Sequence, residues 1–406
     1  MQRRTFVGGL LAFPALMRSA AQRHYSWKEI DRMLERGDVR GRLSKDDLPT
    51  PVLLLDLDLF ERNVRKMVAH CRASQRALRP HGKTHKCPEI AKYLIQAGAV
   101  GACAAKLSEA ETFARNGVTG LLVTTAIIGK HKIQRAVDLA ASHRDIIYSV
   151  DNAQNVRDLN DAAAARKLRL NLAIDLAVGG RTGIQPGAAA LALAQLIASL
   201  PHLRLAGIQA YAGQASHTIG FAERRNVSRN AMAPAVETRR LLEQNGIPCP
   251  LLTAGSTGTY NIDSEIDGIT ELQPGSFVFM DVDYARIGGQ SGPEYNDFAY
   301  ALTVLSTVVS KPTDHYVIVD GGYKAFATDR PFGPKVKDRP ELSYQFAGDE
   351  HGRISTPGPV PLNVGDRLEF IVPHCDPTVN LYDRIVCTRG QQIAAVWPIS
   401  ARGMSQ

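Results

Sequence analysis

From about residue 51 to residue 283 the chain alternates short apolar runs with stretches of helical spacing. PVLLLDLD precedes LFERNVRKMVAHC, GACAA precedes SEAETFARNG, and LLVTT precedes HKIQRAVDLAASH. Each pair reads as a β-strand feeding an amphipathic helix. The series continues through IIYSV, RLNLAIDLA, RLAGIQAYAG and PLLTAGS, each followed by a helical or turn-rich segment. About eight strands in this length have the count and period of a (β/α)8 barrel. A doubly wound sheet is the alternative, but no G-x-G-x-x-G follows a first strand. In a barrel, residues just beyond strand C-termini are the active-site candidates.

Past about residue 290 the helical period fades. AYALTVLSTVVS, HYVIVDGG, RLEFIVP, DRIVCTRG and QQIAAVWPI are β-like and separated by Gly, Pro and Asp. The Pro- and Gly-rich segment from Ala327 to Pro361 is expected to form long loops. The predicted organisation is an N-terminal extension over 22–46, a barrel over 47–290 and a mostly β domain over 291–406.

Residues 1–21 have a charged start with Arg3 and Arg4, an apolar stretch from Phe6 to Met17, and small residues at Ser19 and Ala21. That is the pattern of a signal peptide, and the arginine pair resembles a twin-arginine export signal, which implies a periplasmic protein. Arg18 sits awkwardly for a cleavable leader, and a short apolar helix packed on the fold, in a cytoplasmic protein, is the alternative. The apolar stretch is too short for a stable membrane span.

Composition adds mainly exclusions. Of 406 residues 44% are hydrophobic and 22% charged, ordinary values for a globular protein. The net charge of +8 includes three leader arginines. No run of five or more Lys or Arg occurs and aromatics are not interleaved with basic residues, so a nucleic-acid partner is not indicated. The six cysteines form no C-x-x-C pair, which removes zinc-ribbon and dithiol redox readings.

The densest chemistry lies in RPHGKTHK, Arg79–Lys86, behind the short β-like run RALRP. In an extended strand His81, Lys83 and His85 would share one face. Burial and neighbouring cations would lower the Lys83 pKa and free its amine for a Schiff base with an aldehyde. A basic surface loop is the plainer reading of the same residues. AGSTGTY follows what reads as the last barrel strand, where backbone amides of Ser256, Thr257, Gly258 and Thr259 could approach an anion. Arg181, in a glycine-rich turn, can be aimed at a ligand. Tyr211 ends a strand and His217 lies in the loop beyond it. In PHCDPTVNLYD, His374 and Asp376 are two apart, so in extended chain an imidazole and a carboxylate point to one side and could hold a divalent metal with open positions.

Together RPHGKTHK and HCDPTVNLYD resemble the motifs of pyridoxal-phosphate enzymes with an alanine-racemase-type barrel, in the branch of D-threonine aldolase, D-3-hydroxyaspartate aldolase and eukaryotic-type D-serine dehydratase. The resemblance covers most of the chain. It implies that Lys83 carries pyridoxal 5'-phosphate, Arg181 meets the pyridine nitrogen, and Tyr211 with Ser256, Thr257, Gly258 and Thr259 holds the phosphate. It further implies that His374 and Asp376 bind the metal. Manganese fits best, with magnesium, cobalt or zinc open to the same donors. His217 is then the candidate base, with His85 or a metal-bound water as alternatives. The dehydratases tend to have cysteine two residues after the histidine and the aldolases aspartate, so Asp376 favours cleavage of a D-β-hydroxy amino acid to glycine and an aldehyde. Dehydration of D-serine or D-threonine is the second reading. A non-catalytic cofactor carrier is a third, though such carriers lack the C-terminal β domain. The family is typically a homodimer.

Overall fold

The computed structural model describes residues 25–406, and the leader reading lies outside them. A strand β1 (Val52–Asp56) is followed by eight parallel strands: β2 (Ala77–Leu78), β3 (Ala102–Ala104), β4 (Leu121–Val123), β5 (Ile147–Val150), β6 (Leu170–Asp175), β7 (Leu203–Ala210), β8 (Leu251–Ala254) and β9 (Glu271–Leu272). Their order in space is β2-β9-β8-β7-β6-β5-β4-β3. A parallel bridge from His81 to Cys103 joins the two ends, so the sheet closes into the expected (β/α)8 barrel. The strands are short and β6 is buried at every position, as a sheet covered on both faces requires. No helix among the described residues is long and apolar enough to cross a membrane.

Two strands differ from the sequence reading. PVLLLDLD does feed a helix, Leu57–Ala73, whose first amides are capped by Asp56. Its strand, however, lies outside the barrel. β1 pairs antiparallel with β10 (Leu302–Thr313) and parallel with Arg384–Arg389, at the centre of the C-terminal sheet. The missing barrel strand is β9, two residues in TELQP that carry no visible strand period. Its place depends on Glu271, which is buried and meets Arg79 at 2.9 Å across the β2–β9 seam. Arg79, the first residue of the dense motif, is therefore a closure of the barrel. AGSTGTY accordingly follows the penultimate strand.

The C-terminal part is mostly β, as expected, and its sheet is mostly antiparallel. The segment expected to be long loops contains a hairpin, Ser343–Phe346 against Gly352–Ser355. Tyr344 packs its ring against Phe326 and Phe370, and that burial offsets the poor strand signal of the surrounding Pro and Gly. The two parts are joined by backbone bonds from Val282 and Asp283 to the carbonyls of Val372 and Pro373, which carry the C-terminal motif to the barrel mouth.

Candidate active site

The site is built from the C-terminal ends of the barrel strands, closed from above by the turn after Arg367–Ile371. A cavity of about 180 Å³ is lined by His81, Lys83, Thr124, Asp175, Arg181 and Tyr211, and continues into a smaller lobe with His217, Ser256, Thr257, His374 and Asp376. Gln273 borders both lobes.

The segment from His81 to Lys86 is a helical-type turn, with the Lys86 amide donating to the Gly82 carbonyl at 2.7 Å. Gly82 is required because a Cβ there would lie 2.4 Å from the Phe113 ring. A turn does not keep alternate side chains on one face. His81 and Lys83 therefore line the cavity while His85 points away from it. His85 is 1% exposed, sits 6.0 Å from the Phe113 ring, and accepts from the Cys87 amide through Nδ1 at 3.1 Å. Burial lowers its pKa to about 3, so it is a core residue and is corrected from the list of candidate bases.

Lys83 Nζ lies 3.8 Å from Asp376 Oδ1 and 5.9 Å from the centre of the Tyr211 ring. The expected depression of its pKa is not what this chain builds. Burial pulls the value down, but the Asp376 carboxylate and the Tyr211 phenol outweigh it, and the net shift is upward. Burial in turn pushes Asp376 up, while Lys83, Lys86, His374 and His81 pull it down to about 2. Lys86 is a strut that sequence reasoning left without a role. Its Nζ donates to the carbonyls of Lys83 and Asp376 at 2.6 and 2.7 Å, tying the lysine motif to the C-terminal motif.

Arg181 stacks on the Tyr211 ring at 4.9 Å in the larger lobe. Among the described residues the amides of Thr257, Gly258, Gly275 and Ser276 donate to no protein acceptor, and three of these residues line the smaller lobe with Ser256. Such a nest suits a phosphate. Gly258 has to be glycine because a Cβ would meet the Ser216 carbonyl at 2.2 Å. Thr259 departs from the sequence reading. Its hydroxyl is buried, accepts from the Ser256 amide at 3.1 Å and donates to Asp263 at 2.6 Å, so it braces the loop from behind. The loop is further held by Arg224, fully buried, whose guanidinium donates to the carbonyls of Gly258, Thr218, Ile287 and Gly288.

The buried Gln273 Nε2 finds no partner in the protein. An orphaned donor between the two lobes, an open amide nest and Lys83 at the rim fit a phosphorylated aldehyde cofactor. At the metal motif His374 Nε2 and Asp376 Oδ2 are 3.9 Å apart, so both can face one ion. Among the described residues no group of three or more His, Cys, Asp or Glu side chains is placed to hold a metal ion. His217 Nδ1 lies 3.3 Å from Asp283 Oδ2, an ion-pair contact without hydrogen-bond alignment, and its ring packs on Tyr284 at 4.8 Å. Burial lowers its pKa, which keeps it neutral and able to accept a proton. Gln273, Tyr284, Asp283, Asp329 and Arg330 were missed by sequence reasoning, since none stands in a recognisable spacing.

The family model of the alanine racemase N-terminal domain matches residues 55–283, and that of a putative serine dehydratase domain matches 301–388. A 3-hydroxy-D-aspartate aldolase of Paracoccus denitrificans is 36% identical over 89% of this chain and 94% of its own length. A D-threonine aldolase of an Arthrobacter species is 38% identical over 88% and 93%. The crystal structure of D-threonine aldolase from Filomicrobium marinum superposes with a TM-score of 0.86 at 34% identity, covering 90% of this chain and all of that one. More distant is a D-threo-3-hydroxyaspartate dehydratase of a Delftia species, 29% identical over 76% and 79%. With its barrel, its β domain and both motifs at one mouth, the chain belongs to the pyridoxal-phosphate family of D-threonine aldolase, 3-hydroxy-D-aspartate aldolase and D-serine dehydratase.

Proposed function

We propose that the protein is a carbon–carbon lyase that cleaves D-β-hydroxy amino acids to glycine and an aldehyde, using pyridoxal 5'-phosphate on Lys83 and a divalent metal on His374 and Asp376. The observation that carries the reading is the convergence of Lys83, His217 and the His374–Asp376 pair on one cavity, although they come from three separate segments of the chain. The bound cofactor would supply the electron sink for the broken bond, and the ion a Lewis acid at the β-oxygen. The protein's own part follows from its residues. Neutral His217 takes the β-hydroxyl proton as the Cα–Cβ bond breaks and the β-carbon leaves as the aldehyde; return of one proton from the site to Cα gives glycine, so that no proton is gained or lost overall. Arg181, whose guanidinium donates hydrogen bonds and accepts none, would leave a pyridine nitrogen without its proton and so limit other outcomes at Cα.

Cleavage and dehydration need the same lysine, so product analysis separates them. Incubation with D-threonine and manganese should yield glycine and acetaldehyde. Formation of 2-oxobutanoate and ammonia would establish the dehydratase reading instead. Absence of either product with D-β-hydroxy amino acids would revive the carrier reading. Export through the arginine-pair leader and a homodimeric state belong to the same proposal. They are tested by fractionating cells that express the full chain and by the molar mass of the purified protein in solution.

A further inference from the structure

Both histidines of the site are backed by an aspartate at Nδ1. His374 Nδ1 meets Asp329 Oδ2 at 2.7 Å, and His217 Nδ1 lies 3.3 Å from Asp283 Oδ2. One guanidinium joins the two aspartates: Arg330 Nε donates to Asp283 Oδ2 at 2.8 Å, and its NH1 lies 3.2 Å from Asp329 Oδ2. The result is a series of polar contacts, His217–Asp283–Arg330–Asp329–His374, across the mouth of the cavity, hydrogen-bonded at Arg330–Asp283 and His374–Asp329 and held by charge alone at the other two links. Asp283 enters from the segment after the barrel, and Asp329 and Arg330 from the segment that follows Tyr316–Val319 in the C-terminal sheet.

We propose that Arg330 with Asp283 and Asp329 is a positioning clamp that holds both site histidines by Nδ1, leaving Nε2 of His374 for the metal and Nε2 of His217 for the substrate proton. His374, whose Nδ1 is hydrogen-bonded to Asp329, is fixed in tautomer and ring orientation with Nε2 as its lone-pair atom, and the Asp283 carboxylate beside His217 Nδ1 favours the same tautomer there. On His374 that atom faces Asp376. On His217 it is the nitrogen not turned to Asp283. A single planar arginine suits the task because its fork can engage two carboxylates at once and does not lose its charge. None of the three residues needs to touch substrate, so each acts through the histidine it holds.

The clamp rests on the metal-dependent aldolase reading, and its two arms are tested apart. Asp329→Asn should raise the manganese dissociation constant about 10- to 100-fold, measured by competition with a fluorescent chelator, with excess manganese recovering the rate. Asp283→Asn should leave manganese affinity within about twofold and lower kcat for D-threonine by about tenfold or more at unchanged KM. Arg330→Met should do both, and Arg330→Lys should recover less than half of the loss. Borohydride trapping of cofactor on Lys83 reports that each variant is folded. Unchanged manganese affinity in Asp329→Asn, beside a wild type that binds manganese, overturns the His374 arm alone. Unchanged kcat in Asp283→Asn overturns the His217 arm. A wild type that binds no manganese sinks the metal reading and the His374 arm with it, while Asp283→Asn still decides the other.

Discussion

His85 stands two residues from Lys83, yet the fold uses it as a neutral core residue, and that difference has a measurable size. Its folded pKa is about 3 against an ordinary value of 6.5. As pH falls the unfolded chain takes up the proton first. The stability attached to neutral His85 is therefore complete above pH 6.5 and is lost progressively between 6.5 and 3, by about 1.4 kcal/mol per unit. Between pH 7.5 and 5.5 the difference is about 1.4 kcal/mol. The substitution His85→Asn keeps an acceptor for the Cys87 amide, removes the titration, and gives up ring contacts against Phe113 at a cost of roughly 2 kcal/mol at pH 7.5. Urea denaturation midpoints of both proteins at the two pH values form a double difference in which other titrating groups cancel. With an m-value of about 3 kcal/mol/M, wild type should lose about 0.5 M more of its midpoint on acidification than the variant. Activity at pH 7.5 should stay within about threefold. Equal pH dependence in the two proteins would refute the burial argument, and a loss of kcat by a hundredfold with intact stability would return His85 to the list of bases.

Lys83→Ala should abolish the borohydride-trapped cofactor adduct, seen by intact mass; an adduct that persists would move the Schiff base to another lysine. Arg224→Met leaves the carbonyls of Gly258, Thr218 and Gly288 without a donor, Ile287 keeping the Gly220 amide, and should cost about 3 kcal/mol of stability and weaken cofactor retention, since Gly258 of the anion nest loses its brace. Lost stability with unchanged cofactor affinity would separate Arg224 from the site. All six cysteines are free and buried, and burial pushes the Cys71 and Cys249 thiols up to about 12. Fewer than about one thiol per chain should react with a disulfide reagent at pH 8 before denaturation, and six after it. Rapid titration of several thiols in the folded protein would contradict the packing.

The barrel was legible because each βα unit writes its own period. Its strands are short apolar runs, its helices alternate on a 3.6-residue repeat, and neither property depends on distant parts of the chain. The two strand errors show where that ends. PVLLLD has the same local pattern whether it joins the barrel or the C-terminal sheet, and only its pairing with Leu302–Thr313 and Arg384–Arg389 distinguishes them. Glu271–Leu272 is too short to carry a period, and a buried Glu argues against a strand until Arg79 is seen beside it. Likewise Thr259, read as a phosphate donor, spends its hydroxyl on Asp263.

By itself the sequence determined the barrel, the β domain after it, and two dense motifs whose residue types suit an aldehyde cofactor and a divalent ion. Local spacing and side-chain chemistry suffice for that. Tertiary structure decided which member of each motif faces the cavity: Lys83 and His81 inward, His85 into the core, Lys86 across to Asp376. It also recruited Gln273, Asp283, Asp329 and Arg330, which no spacing marks. The reason is physical. Side-chain direction follows from the turn the backbone takes, and ion pairs form between atoms that long-range folding brings within 4 Å, so neither is encoded in the few residues around each group.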